Sequence, residues 1–229
     1  MTSSKWHALG NVYLLVERAD PLTAGDARAL ARDTDGVLEV RGNEVTVWNP
    51  DGSVAEMSGN GARIAAAWYA RKTGSREVTL RVGERVVSAT VDGDTVTLDI
   101  GRVEVGEPEA IDGIRFTPVS VGNPHAVVRH DPADIRVLGP QIENHPRFPE
   151  RTNVQLLRVD GEHDLTVAVW ERGAGETTAS GTSAVAAAAA AIAHAWCSSP
   201  VTVHMPGGDL FVEFEDGRAR LTGPAVELA

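Results

Sequence analysis

Residues Met57–Arg63 read MSGNGAR, and residues Ala179–Val185 read ASGTSAV. Each stretch sets a serine, Ser58 or Ser180, before a glycine-containing polar turn that leads into a run of small residues. In GARIAAAWYARK, Gly61 to Lys72, the spacing of Ile64, Ala65 and Trp68 predicts a helix. Arg71 and Lys72 fall in its last turn and Gly74 just beyond, both ordinary stop signals. SAVAAAAAAIAHAW, from Ser183, predicts a second helix with no polar face, which suits a central helix closely wrapped by sheet. The plain alternative is a low-complexity surface helix.

Working outward, each helix is flanked by strand-like segments. NVYLLVE (Asn11–Glu17), GVLEV and NEVTVWN precede the first, with a short helix expected in DPLTAGDARALARDT and a turn at Pro50-Asp51-Gly52. REVTLRV, RVVSATVDGDTVTLDIG and VEV follow it. Val78, Leu80 and Val82, then Val87, Ala89 and Val91, alternate with period two, and the turn at 91–94 predicts an antiparallel hairpin. The second half repeats the order: IRFTPVSVG and HAVVRH around Gly122-Asn123-Pro124, then TNVQLLRVD and DLTVAVWERG, the alanine helix, and hairpins again. Strands do not alternate regularly with crossover helices, so a doubly wound nucleotide-binding fold is not expected. The expected fold class is α+β, in two similar halves.

The 229 residues suffice for two domains of about 110 residues. With 32 acidic against 21 basic residues and a formal charge of -11, binding to nucleic acid by phosphate neutralisation has no support. Cys197 is the one cysteine, which excludes a disulfide framework, and the histidines show no metal-ligand spacing, so no metal is expected. The N-terminal stretch is interrupted by Lys5, His7 and Glu17, and the apolar run Ala184–Ala195 is short for a membrane span. A soluble cytoplasmic protein is the expectation, with no membrane partner.

Turns that lead into helices present unsatisfied backbone N–H groups, to which a carboxylate can bind. Two such turns in matching halves would bring both helix N-termini to a shared cleft. One group on each face of a tetrahedral carbon could then remove a proton and deliver another.

The chain closely resembles the diaminopimelate epimerase family, whose wider fold includes proline racemase and phenazine-biosynthesis isomerases. The resemblance rests on HALGN (His7–Asn11), NPDGS (Asn49–Ser53), MSGNGAR (Met57–Arg63), VGNPHAV (Val121–Val127), RTNVQL (Arg151–Leu156) and VWERGAGETTASGTS (Val169–Ser183). It covers nearly the whole chain, in the family's order. It implies two pseudo-symmetric domains, each a curved, mostly antiparallel sheet around a central helix, here 1–112 completed by 222–229, and 113–221. It also implies interconversion of LL- and meso-diaminopimelate in lysine and peptidoglycan-precursor biosynthesis, with no pyridoxal phosphate, metal or other cofactor, and a homodimer as a plausible assembly.

By resemblance the reacting α-carboxylate sits on the turn amides near Gly59, Asn60, Gly181 and Thr182. Asn11, Asn49, Asn153 and Arg172 surround the distal amino-acid end, and Glu171 accepts from an ammonium. Asn123 and His125 line the site, with His125 and Glu171 setting protonation at the two catalytic residues. Each has a plain rival: Asn49 and Asn123 as turn residues, His125 as a satisfied core histidine, Glu171 and Arg172 as a surface pair.

Two departures stand out. The family's catalytic pair are cysteines, a thiolate base and a thiol acid, and they fall on Ser58 and Ser180. A hydroxyl is a weaker acid than a thiol by roughly five units, so an alkoxide base costs on the order of 7 kcal/mol more. Three explanations follow: an epimerase with both cysteines changed to serine and inactivated, a natural homologue that has lost racemisation and retains binding or does other chemistry, and a working isomerase using serines with local bases; the alternative function is a divergent homologue acting as an amino-acid-binding protein or a related amino-acid racemase. The second departure is the family's GIGADG-like segment, of which LARDTDGVLEV (Leu30–Val40) keeps only Asp35-Gly36.

Overall fold

A computed structural model describes residues 2–55 and 58–228. Met57 of the first serine turn, and the terminal Met1 and Ala229 of the expected domain spans, lie outside the described residues. Contacts divide the chain into one unit of residues 1–99 and 222–229 and a second of residues 100–221.

The first unit contains β1 (Thr2–Ala8), β2 (Asn11–Glu17), α1 (Ala24–Leu30), β3 (Gly36–Arg41), β4 (Glu44–Trp48), α2 (Gly59–Thr73), β5 (Glu77–Val82), β6 (Arg85–Asp92) and most of β7 (Thr95–Arg102). β1 and β2 form a hairpin whose turn uses Leu9 and Gly10 at positive φ. β2 pairs parallel with β3, β3 antiparallel with β4, and β4 parallel with β5, before β5, β6 and β7 finish as a meander. Each parallel step needs a crossover, and α1 and α2 supply them. Thr23 and Asp26 form a capping box that starts α1, and Gly74 in the left-handed conformation ends α2. The alternation expected from the sequence is real: Val78, Leu80, Val82, Val87, Ala89 and Val91 are all buried.

The second unit repeats this scheme. It contains β8 (Glu104–Val105), β9 (Glu109–Ile111), β10 (Ile114–Ser120), β11 (Pro124–Arg129), α3 (Ile135–Glu143), β12 (Asn153–Val159), β13 (Asp164–Glu171), β14 (Gly175–Thr177), α4 (Gly181–Ala193), β15 (Val201–Met205), β16 (Gly208–Glu215) and the start of β17 (Arg218–Pro224); β18 (Val226–Glu227) returns to pair with β1. β10 and β11 are antiparallel, β11 and β12 parallel, β12 and β13 antiparallel, β13 and β15 parallel, β15 and β16 antiparallel. That is the pairing sequence of β1 to β6, with α3 and α4 in the places of α1 and α2. Two units with one topology are what the sequence repeat requires.

The central helices explain the small residues. Sheet strands contact α2 from β1, β2, β3, β5 and β6, and α4 from β8, β10, β11, β12, β13, β15 and β16. Every residue of α4 from Gly181 to Ala191 is buried, so the surface-helix alternative for the alanine run is ruled out. A helix buried all round must be apolar all round, and alanine lets the sheet close on it.

α3 was not expected from the sequence. Ile135 and Ile142 are buried in a cluster with Phe116, Val154 and Leu156, and Gly139 presses so closely on Trp170 that a Cβ would lie 2.7 Å from its ring. Pro140 interrupts the pattern of this short helix and masks it in the sequence.

Candidate active site

Ser58 and Ser180 are the N-caps of α2 and α4, both in extended backbone conformation. The registers show that they hold equivalent places. In the first unit Leu14, Val37 and Trp48 form one rung across β2, β3 and β4; in the second the same rung is Ala126, Val154 and Trp170. Ser58 follows Trp48, and Ser180 follows Trp170, by the same ten positions. Asn49 and Glu171, each directly after its tryptophan, therefore correspond.

The two turns use their hydroxyls differently. Ser58 Oγ accepts the Gly61 N–H at 3.0 Å, a side-chain cap, and lies 3.3 Å from the Tyr13 hydroxyl. Ser180 makes no cap bond; its hydroxyl bonds the Glu171 carboxyl instead. Thr177 Oγ1 also donates to Glu171 Oε1, at 3.2 Å. Burial raises the Glu171 pKa, and these two hydrogen bonds oppose that rise. Glu171 is therefore a carboxyl whose proton is held more tightly than usual, directly against the second serine.

His125 is buried on β11. Gln155 Nε2 donates to its Nδ1 at 3.0 Å and to Ser183 Oγ at 3.0 Å, while His125 Nε2 lies 2.9 Å from Asn123 Oδ1. With Nδ1 accepting, Nε2 must carry the proton, so the ring is the neutral Nε2–H tautomer. Desolvation drives its pKa down to about 3, and the Arg172 charge pushes the same way. It is a neutral hydrogen-bonding group near neutral pH.

The turn amides expected to receive a carboxylate lie at these helix starts, and Gly59, Asn60, Gly181 and Thr182 are all buried. Gly61 cannot be larger: a Cβ would lie 2.9 Å from Leu38 Cδ2 and 3.2 Å from Ser58 Oγ. Asn60 Oδ1 accepts from Arg63 Nη2 at 2.6 Å.

Of the residues expected at the distal end, Asn153 is fixed by its neighbours: Nδ2 donates to the Pro124 carbonyl at 2.9 Å and Oδ1 accepts the Arg172 N–H at 3.0 Å. The second bond ties Arg172 to the start of β12. Asn49 donates to Ser53 Oγ at 2.9 Å inside the NPDGS turn, and Asn11 closes the β1–β2 hairpin opposite Ala8. Asn123, Asn153, His125, Glu171, Arg172, Gly181 and Thr182 thus belong to the second unit, and Asn11, Asn49, Gly59 and Asn60 to the first.

Sequence reasoning missed the residues that support these groups. Buried Glu143 on α3 accepts from Trp170 Nε1 at 2.7 Å and from the Gly173 N–H at 2.8 Å, holding the loop that carries Arg172. Buried Glu39 repeats the motif in the first unit, accepting from Trp48 Nε1 and the Leu22 N–H, each at 2.9 Å. Tyr13 lies on the rung equivalent to His125, inside a strand-like apolar stretch that carries no local signal of a site. The trimmed segment Leu30–Val40 still does structural work. Asp35 Oδ2 accepts the Val12 N–H at 2.7 Å, and a Cβ on Gly36 would lie 2.5 Å from the Trp48 carbonyl oxygen.

Among the described residues no cluster of His, Cys, Asp or Glu could hold a metal ion, and no helix is long and apolar enough to cross a membrane. A surface hollow of about 540 Å³ on the second unit, lined by Ile114, Arg129 and Leu138 among others, includes none of the expected site residues.

The chain is an α+β protein of two units with one topology, each with a polar turn at the foot of a small-residue helix. The diaminopimelate epimerase family model matches residues 117–228. Diaminopimelate epimerases from Pseudomonas entomophila and Moorella thermoacetica are 40% and 37% identical to the chain, each over 98% of it and 96% of the relative. The chain belongs to the diaminopimelate epimerase family, a family of amino-acid epimerases. The alignment with the Moorella relative spans 268 positions, more than the chain's own 229 residues, so parts of the relative have no counterpart here. At the level of fold, a phenazine biosynthesis family protein from Enterococcus faecalis superimposes with a TM-score of 0.73 at 13% identity, covering 100% of this chain and 98% of that one. A hydroxyproline epimerase from Agrobacterium vitis gives 0.68 at 16%, covering 99% and 89%.

Proposed function

We infer that the chain binds diaminopimelate and is an epimerase frame in which serine stands at both proton-transfer positions, so that cofactor-independent LL/meso interconversion is far slower than with cysteine. The observation that carries this reading is the equivalence of Ser58 and Ser180, N-caps at matching places of two units with one topology.

In this reading the α-carboxylate is held by the amides of Gly59, Asn60, Gly181 and Thr182, where the helix N-terminus favours an anion. Asn11, Asn49, Asn153 and Arg172 read the distal amino acid, the guanidinium pairing with its carboxylate, and Glu171 accepts from an ammonium. Asn123 fixes the His125 ring, and His125, neutral, donates or accepts without carrying charge. Serine keeps the shape of the site and weakens its chemistry, because a hydroxyl surrenders its proton far less readily than a thiol.

Calorimetric titration with LL- and meso-diaminopimelate, beside L-proline, tests the reading. Diaminopimelate is expected to bind and proline, which lacks a distal carboxylate, to bind far more weakly. Equal binding of proline, or no binding of either diaminopimelate, contradicts the substrate assignment.

A further inference from the structure

The first unit holds a titratable group that this chemistry does not yet use. Tyr13 is buried on β2 with its hydroxyl 3.3 Å from Ser58 Oγ. Its ring is fixed from the β3 side by Gly36, where a Cβ would lie 2.8 Å from Tyr13 Cε1. Since Ser58 Oγ accepts the Gly61 N–H, the serine's own proton is available to the phenol oxygen.

The next turn of α2 carries Arg63, which is fully buried. Its Nε donates to the Pro224 carbonyl at 3.3 Å and its Nη2 to Asn60 Oδ1, but buried Nη1 has no partner. Among the described residues no carboxylate pairs with it. Burial lowers its pKa to about 10, and a negative Tyr13 would raise it again. A buried cation with an unused donor favours an anion beside it.

Tyr13 also has neighbours on the flanking strands, and the titratable groups closest to it in register are His7 and Asp35. Its partners on β1 and β3 are Trp6 and Gly36. His7 on β1 is paired with Val12, one residue away, and Asp35 on the approach to β3 has its carboxylate on the Val12 N–H.

Resting on the reading of Ser58 as a proton-transfer position, we propose that Tyr13 is its proton-holding partner: the Tyr13 phenolate, stabilised by Arg63, takes the Ser58 hydroxyl proton as Ser58 Oγ takes the substrate α-proton. The Cα–H bond breaks and leaves its electron pair on carbon, the Ser58 O–H bond breaks and re-forms with the α-proton, and a Tyr13 O–H bond forms. Run backwards, the relay delivers a proton to carbon. Serine never becomes a free alkoxide, and the proton rests on a phenol, a much stronger acid than an aliphatic alcohol. The second unit has no phenol at this rung; there His125 is neutral and Glu171 meets the serine.

The test uses the chain's two tyrosines, Tyr13 and Tyr69. With ¹³C at tyrosine Cζ, an alkaline NMR titration reads each ionisation, Tyr69→Phe assigns the signals, and circular dichroism verifies the fold. Tyr13 should ionise at least about one pH unit below Tyr69, and Arg63→Gln should move it upward while Arg63→Lys, keeping the charge, should largely preserve it. Tyr13 titrating with or above Tyr69 overturns the proposal, whatever the protein's activity. Where the parent exchanges the α-hydrogen of diaminopimelate in heavy water, Tyr13→Phe should cut that rate about tenfold with KM unchanged and flatten its alkaline pH profile; unchanged rate and profile overturn it too. Complete absence of exchange in the parent bears on the proposed turnover, and the titration still decides the role of Tyr13.

Discussion

The Glu143 carboxylate accepts the Trp170 indole N–H over 2.7 Å and, through its other oxygen, the Gly173 N–H over 2.8 Å. This one buried side chain on α3 therefore fixes both the end of β13 and the loop after Arg172. Glu143→Ala removes the partner of the half-buried Trp170 indole N–H and of the Gly173 N–H, and should destabilise the protein by about 1–2 kcal/mol, read as a lower urea midpoint at unchanged slope. Diaminopimelate binding should weaken as well, since the loop that carries Arg172 loses its tie through Gly173 and keeps the Arg172 N–H bond to Asn153.

Arg172→Ala tests the distal end of the proposed site directly. Loss of the guanidinium should weaken diaminopimelate binding by about 2 kcal/mol or more, roughly thirtyfold in Kd. An unchanged Kd refutes the distal assignment.

Gly36→Ala tests the packing under Tyr13 and Trp48. A Cβ would lie 2.5 Å from a backbone oxygen that cannot easily move, so a loss of about 1–3 kcal/mol is expected by thermal or urea unfolding. Gly42→Ala at the β3–β4 turn, where nothing lies within 4 Å of the added Cβ, should be affected only through its positive φ.

The depressed pKa of His125 makes stability fall in acid. The unfolded chain takes up this proton near pH 6.5 and the folded one only near pH 3. Between those values the unfolded state binds more protons, so stability drops by up to about 1.4 kcal/mol for each unit the pH falls, and the loss stops below pH 3. Comparing the pH dependence of unfolding in the parent and in His125→Gln isolates this contribution; a variant with the same slope contradicts the burial argument.

What the sequence made legible is what local pattern governs. The serine caps, the period-two strands around Val78 to Val91 and the apolar Ala184–Ala191 helix all follow from residues close in the chain. What escaped depends on distant contacts. Glu39 and Glu143 look like ordinary surface carboxylates until tryptophans from neighbouring strands reach them, and α3 is hidden by Pro140 in a short span. Tyr13 sits in an apolar strand, and only the registers show that its rung is the one His125 occupies in the second unit. The tryptophan ten positions before each serine was the available signal for that equivalence.

The most direct measurement of the central claim is α-hydrogen exchange of LL- and meso-diaminopimelate in heavy water, with the parent beside the S58C/S180C variant. The variant should exchange both isomers faster by roughly a hundredfold or more, because a thiolate forms where a hydroxyl resists ionisation. Failure of the variant to exchange either isomer, with binding intact, would contradict the assignment of Ser58 and Ser180 as the two proton-transfer positions.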